Sequence, residues 1–151
     1  MEDFKFVIMK DIIKKSLLFP DKVLFMFETS VEIHWIHESR INKMKINQST
    51  VDMTSADGSL VFILTDQGQI FFGDSRKVSV NDDIFPNVLD KFKDLSAISL
   101  FFSRYYDMFF IGHRNKTCSQ MIIENMGDPA SIDFQTVNIQ VKILFNFNIN
   151  I

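Results

Sequence analysis

Cysteine, proline and glycine are all scarce in this chain, at one, three and five among 151 residues. With Cys118 alone, an internal disulfide is excluded. Gly58, Gly68 and Gly73 are spread over separate turns and match neither G-x-G-x-x-G nor the P-loop, so no phosphate cradle is present. Basic runs are missing too: the longest cluster is Lys14-Lys15 and the formal net charge is −3. Nucleic-acid affinity comes mostly from clustered Lys and Arg on phosphates, which argues against such a partner. No apolar run approaches the ~20 residues of a membrane-spanning helix. Charges at Glu2, Asp3, Lys5, Lys10 and Asp11 interrupt the apolar stretch a secretory leader needs, so the expectation is a chain without a route to export. Trp and Tyr are few, one and two, against 17 Phe. Phenylalanine fills sheet interfaces without a polar atom to satisfy, which favours a packed β protein over a wet binding surface. Lineage or codon bias is the other reading.

What is present is a repeated hairpin pattern. In Ser59 to Ser75, two apolar runs, Leu60–Leu64 and Ile70–Phe72, flank Asp66-Gln67-Gly68, and the glycine suits the positive φ of a short turn. The same plan recurs in Val23–Phe27 with Glu32–Ile36 and in Met108–Ile111 with Gln120–Ile123. First runs starting at Val23, Leu60 and Met108 give spacings near the roughly 40 to 50 residues of a propeller blade. The expected fold is therefore mainly β, with antiparallel hairpins forming part of a β-propeller of about three blade-like units. Propellers close with about four to eight blades, so this is a partial ring or an open β-sheet domain. The whole chain, 1–151, reads as one such domain.

Between the hairpins the signals are weaker. Apolar positions at Val7, Ile8, Ile12, Leu17 and Leu18 fit a short helix or a strand pair, and Pro20-Asp21 marks a break. Val31, Ile33 and Trp35 alternate with Glu32 and His34, predicting a strand covered on one face. Arg40–Ile46 is a candidate short strand, and Val78 with Val80 a candidate outer strand. Asn81-Asp82-Asp83 predicts the start of a helix through Phe92, with Pro86 in its first turn. The tail Phe134–Ile151 places its apolar residues largely on one parity. It is expected to be a long strand without a partner in sequence, or else an atypical segment of a truncated isoform. With open edges and that apolar face, the isolated chain is expected to be poorly soluble or oligomeric.

Residues that could carry chemistry are thin. His34 and His37 have metal-ligand spacing, but positions i and i+3 of a strand face opposite ways, and no third ligand is apparent. His113 and Cys118 flank a hairpin tip and could meet as an imidazole–thiolate pair, although no oxyanion donor or orienting acid is recognisable. The acids at Asp82-Asp83, Asp90 and Asp94 lack the pattern of a calcium loop. No catalytic residue, metal ligand, cofactor site or small-molecule substrate is expected. Asn47-Gln48-Ser49 and Asn115-Lys116-Thr117 are glycosylation sequons, making Asn47 and Asn115 candidate sites. Ten Asn with nineteen Ser and Thr yield about one sequon by chance, so two stand close to background.

The run Val51–Val80 resembles the propeller repeats in ectodomains of the auxiliary subunits of the sperm cation channel, the CatSper beta, gamma, delta and epsilon group. The matching positions are Thr65, Gly68, Phe71, Phe72 and Gly73. Propellers of the regulator-of-chromosome-condensation type use a related strand pair. The resemblance implies a non-catalytic extracellular module at the sperm flagellar membrane, part of a canopy over a calcium channel, with other protein subunits as partners. Members of that group carry a signal peptide, several disulfides and a membrane span, which this chain lacks. The alternative is an intracellular, cytoplasmic propeller scaffold, RCC-type or WD-like, that binds a protein partner. A small thiol- or metal-dependent enzyme around His113 and Cys118 is a third.

Overall fold

In a computed structural model of the chain, the described residues are 11–77, 83–84, 87–123 and 132–137. They are all strand, turn or loop, without a helix. The first sheet is a meander of β1 (Lys15–Leu18), β2 (Lys22–Met26), β3 (Ser30–Trp35) and β4 (Ile41–Lys45), with a two-residue β8 (Asp83–Ile84) added in parallel outside β4. The second comprises β5 (Thr50–Ser55), β6 (Leu60–Thr65), β7 (Gln69–Asp74) and β9 (Asn87–Lys93), all antiparallel. The third is β10 (Ala97–Ser103), β11 (Met108–His113), β12 (Cys118–Ile123) and β13 (Ile132–Val137). Three successive up-and-down sheets thus correspond to the three predicted hairpin units. The expectation of a mainly β, partial propeller holds.

Two apolar cores lie between the sheets. Leu24, Met26, Val31, Ile33 and Met44 of the first sheet meet Met53, Val61, Ile63 and Phe71 of the second. On the other side of the second sheet, Phe62, Leu64, Ile70 and Phe72 meet Leu100, Phe109, Ile111 and Met121 of the third. Adjacent side chains of β6 therefore enter different cores. This is why its sequence is a continuous apolar run, whereas β2 alternates buried and half-buried residues. Phe62 shows the fit: it is fully buried, with its ring 5.9 Å from Phe72 and 4.9 Å from Phe109.

Two sequence expectations are corrected. The predicted helix from Asn81 to Phe92 is replaced by β8 and β9. Val88 packs against the first core while Leu89 and Phe92 join the second, a two-sided arrangement only a strand provides, and the open edge of β7 gains backbone partners. The described start of the tail does have a partner: Ile132–Val137 pairs with β12 in register, Met121 opposite Phe134. Of the apolar positions near the N-terminus, Leu17 and Leu18 lie in β1, Ile12 precedes it, and Val7 and Ile8 fall outside the described residues. The candidate strand at Val78 and Val80 and the tail beyond Val137 also lie outside it.

Candidate functional site

The innermost strands β1, β5 and β10 lie side by side, and one carboxylate joins them. Asp52 stands in β5 beside a bulge between Thr50 and Asp52. Its Oδ1 accepts from Lys15 Nζ at 2.6 Å and from Met53 N at 2.8 Å, and its Oδ2 accepts from Leu100 N at 2.7 Å. The bulge turns this side chain toward the junction, where a charge-assisted bond satisfies a backbone N–H that β10, itself bulged between Ala97 and Ser99, leaves free. Sequence reading passed over Asp52; an acid between Val51 and Met53 in a strand was the available signal.

Above this junction runs a shallow groove of about 280 Å³, lined among others by Leu17, Leu18, Ala56, Phe101, Phe102 and Arg104. Its surroundings are unusually apolar for exposed surface. Tyr105 is 88% exposed, Leu18 74% and Tyr106 61%, with Phe101 also exposed. Tyr105 packs edge-on against Tyr106 at 4.8 Å, and Phe101 stacks on Phe110 at 5.2 Å. A contiguous aromatic patch with an arginine beside it has the composition of a protein-docking hot spot.

The opposite ends of the sheets are stitched by side chains. In the second sheet, Thr65 Oγ1 donates to Gln48 Oε1 at 2.6 Å, and Gln48 Nε2 contacts Gln69 Oε1 at 2.5 Å. In the third, His113 fills the place of Thr65. Its Nδ1 lies 3.1 Å from both Ser96 Oγ and Asp94 Oδ2, and its Nε2 lies 2.7 Å from Ser119 Oγ. Hydrogen bonds from Ser96 hold the Asp94 carboxyl below its ordinary range, and the neighbouring His113 adds a smaller effect. Ser119, His113 and Asp94 follow the order of a hydrolytic relay. Ser119 and His113 are nevertheless buried, and neither lines the groove, so the arrangement clamps the loop entering β10 onto β11 and β12.

The expected meeting of His113 with Cys118 does not occur. Cys118 pairs with Gly112, so the pleat turns it to the face opposite His113, while Ser119 shares the face of His113. Burial pushes the Cys118 thiol up, the reverse of an activated nucleophile. His34 Nε2 bonds Glu32 at 2.9 Å and packs edge-on against Phe25, while His37 is exposed beyond the strand. No cluster of three metal-ligating side chains occurs among the described residues. Asn47 and Asn115 are exposed; Asn115 Oδ1 accepts from Thr117 N and Oγ1. Gly68 stands at φ +71° in its turn, where an added Cβ would lie 2.6 Å from the Asp94 backbone. Phe71 and Phe72 face the two cores, and Gly73 is buried opposite Val61.

No family model matches this sequence, and no curated protein matches it. Solved structures do match its fold. The β-propeller domain of Cps50 (Swd1) from Myceliophteria thermophila aligns with a TM-score of 0.62 at 13% identity, over 87% of this chain and 46% of that one. Hsv2 from Kluyvelomyces marxianus aligns at 0.54 and 12% identity, over 85% and 46%. A form of KlHsv2 with loop 6CD replaced by a Gly-Ser linker gives 0.54 and 13%, over 85% and 45%. At such identities the likeness is one of fold, and the chain spans less than half the length of each propeller. None of these connects it to the sperm-channel subunits.

Proposed function

We propose that the chain is a non-catalytic, WD-like propeller module that holds a partner protein against the groove over β1, β5 and β10. The observation that carries this reading is the aromatic patch of Leu18, Phe101, Tyr105 and Tyr106 beside Arg104. Rigid Tyr rings lose little entropy on docking, and the arginine adds a cation able to take a carboxylate of the partner. The propeller likeness supports it from the side of fold, since propellers present such surfaces on a stiff frame. Cytoplasmic action belongs to this reading, because a lone buried thiol suits a reducing compartment.

The channel-canopy reading rests on Thr65, Gly68, Phe71, Phe72 and Gly73, residues whose turn and core places in the second sheet account for them without reference to a family. They do not separate the two readings. The test is cross-linking in cells to wild type and to a Leu18→Ser/Tyr105→Ser variant. A protein joined to wild type and lost with the variant is expected. Equal recovery by both would overturn the groove as the docking site. Labelling of Ser119 by a fluorophosphonate would overturn the non-catalytic part, and a mass shift on N-glycosidase treatment at Asn47 or Asn115 would favour the extracellular alternative.

A further inference from the structure

The junction below the groove holds its own example of carboxylate recognition. Asp52 takes Lys15 Nζ on one oxygen and Leu100 N on the other, so a single acid meets a cation of β1 and a backbone donor of β10. Leu100 N points away from β11, and alternation along β10 turns Phe102 N, two residues on, to the same edge. Phe102 and Arg104 both line the groove. Among the described residues, Phe102 N finds no acceptor on that edge and the exposed Arg104 no carboxylate. One step outward along β10, a backbone N–H and a cation thus repeat the pair that holds Asp52, without an acid to join them.

We propose that the groove takes the side-chain carboxylate of an Asp or Glu from a short segment of the partner protein, with an apolar residue beside that acid. This rests on the groove being the docking site. The acid completes the set of Phe102 N and Arg104 as Asp52 completes that of Leu100 N and Lys15, and the planar fork of Arg104 matches a carboxylate. Its apolar neighbour packs on the exposed Leu18 and Tyr105. Charge complementarity favours this occupant, because the cations Lys15 and Arg104 line the groove and, among the described residues, no acid does. Size favours a segment over a folded surface. At about 280 Å³ the groove lies just under the roughly 300–1,000 Å³ of small-molecule sites, which is room for one or two side chains.

Selection of random short peptides displayed on phage against the immobilised chain tests it. The peptides are fused to the phage through their C-termini, so a side chain is their one source of a carboxylate. Binders are expected to carry Asp or Glu next to an aliphatic or aromatic residue. Arg104 is exposed in a turn, so its variants should fold, as checked by circular dichroism. Arg104→Ala should weaken a selected peptide about 10- to 100-fold in fluorescence anisotropy, and Arg104→Glu should turn the selection toward Lys and Arg. In amide NMR spectra the peptide should shift Phe102 N–H more than Leu100 N–H, which Asp52 already holds. Binding that is lost in Leu18→Ser/Tyr105→Ser but shows no enrichment of acids, no loss with Arg104→Ala, or an unmoved Phe102 amide would overturn the carboxylate and leave the groove standing. Peptides indifferent to Leu18→Ser/Tyr105→Ser, or a selection without binders, would overturn the groove and this inference with it.

Discussion

β6 and β7 of the second sheet bury side chains on both faces, whereas β2 and β3 of the first bury them mainly on one. The local fold is the same antiparallel meander in both cases; the difference is position in the stack. A sheet with neighbours on both sides has no solvent face to mark with polar residues, so its strands lose their alternation and become continuous apolar runs. The third sheet is intermediate: β11 buries Phe109, Phe110 and Ile111, yet Met108 and Phe101 stay exposed beside them. The pattern of a strand thus records how many neighbours it has.

Truncation should separate the sheets most sharply. Phe62→Ala empties a fully enclosed site between the second and third sheets and should cost about 3–5 kcal/mol. Phe25→Ala, on the outer face of the first sheet, should cost about 1 kcal/mol. Urea unfolding of both variants checks this, and equal losses would break the contrast. Next in size is the turn comparison. Gly68→Val meets both the positive φ and the Asp94 backbone, and should lose roughly 1–3 kcal/mol by the same measurement. In the third sheet Lys116 holds the matching turn position at φ +67°, its N–H bonding His113 O as that of Gly68 bonds Thr65 O. Lys116→Gly should therefore stabilise, by up to about 1 kcal/mol, visible as a raised melting temperature.

The junction shared by all three sheets comes third. Asp52→Ala leaves Leu100 N without its acceptor and should cost about 1–3 kcal/mol, while Lys15→Met, removing only a part-exposed cation, should cost under about 1 kcal/mol. The smallest effect is pH-dependent. Because Asp94 is held below its ordinary value when folded, its contribution is complete above the ordinary carboxylate range and fades as the pH falls through the depressed value. The stability of Asp94→Asn should thus depend less on acidity than that of wild type below about pH 4, as read from melting temperatures across that range.

Much of the strand plan was legible in the residues. The Asp66-Gln67-Gly68 turn, the period-2 pattern of Val31, Ile33 and Trp35, and the spacing of the hairpins are local signals, and each marks a real strand or turn. Asn81 to Phe92 misled because its cap-like acids and Pro86 are also local signals, whereas the demand of the β7 edge for partners is not. The candidate site was harder still. Asp52 reaches Leu100 across 48 residues, and Ser119 and Asp94 reach His113 from two different elements. Tyr105 and Tyr106 open an apolar run in the sequence, and only the fold shows them in a turn, with Tyr106 against Phe110. Thr65 with Gln48 in one sheet and His113 with Ser96 in the next fill one structural place with unlike chemistry, so the repeat is visible in geometry and faint in letters.

Trp35, the only tryptophan of the chain, sits on the first sheet with its indole N–H bonded to Asn42 and its ring between Lys22 Nζ and Arg40 Cζ, each 4.4 Å from the centroid. Lys22 is buried and reaches Ser75 of the second sheet, so the indole environment depends on the first two sheets staying together. Both tyrosines, by contrast, lie in one turn of the third sheet. The molecule therefore carries two optical reporters at opposite ends of its stack. Excited selectively, the indole follows the parting of the first sheet from the second, while the phenols follow the far end. Coincident transitions would mean that the arc melts as one unit, and separated ones that its terminal sheet peels away first.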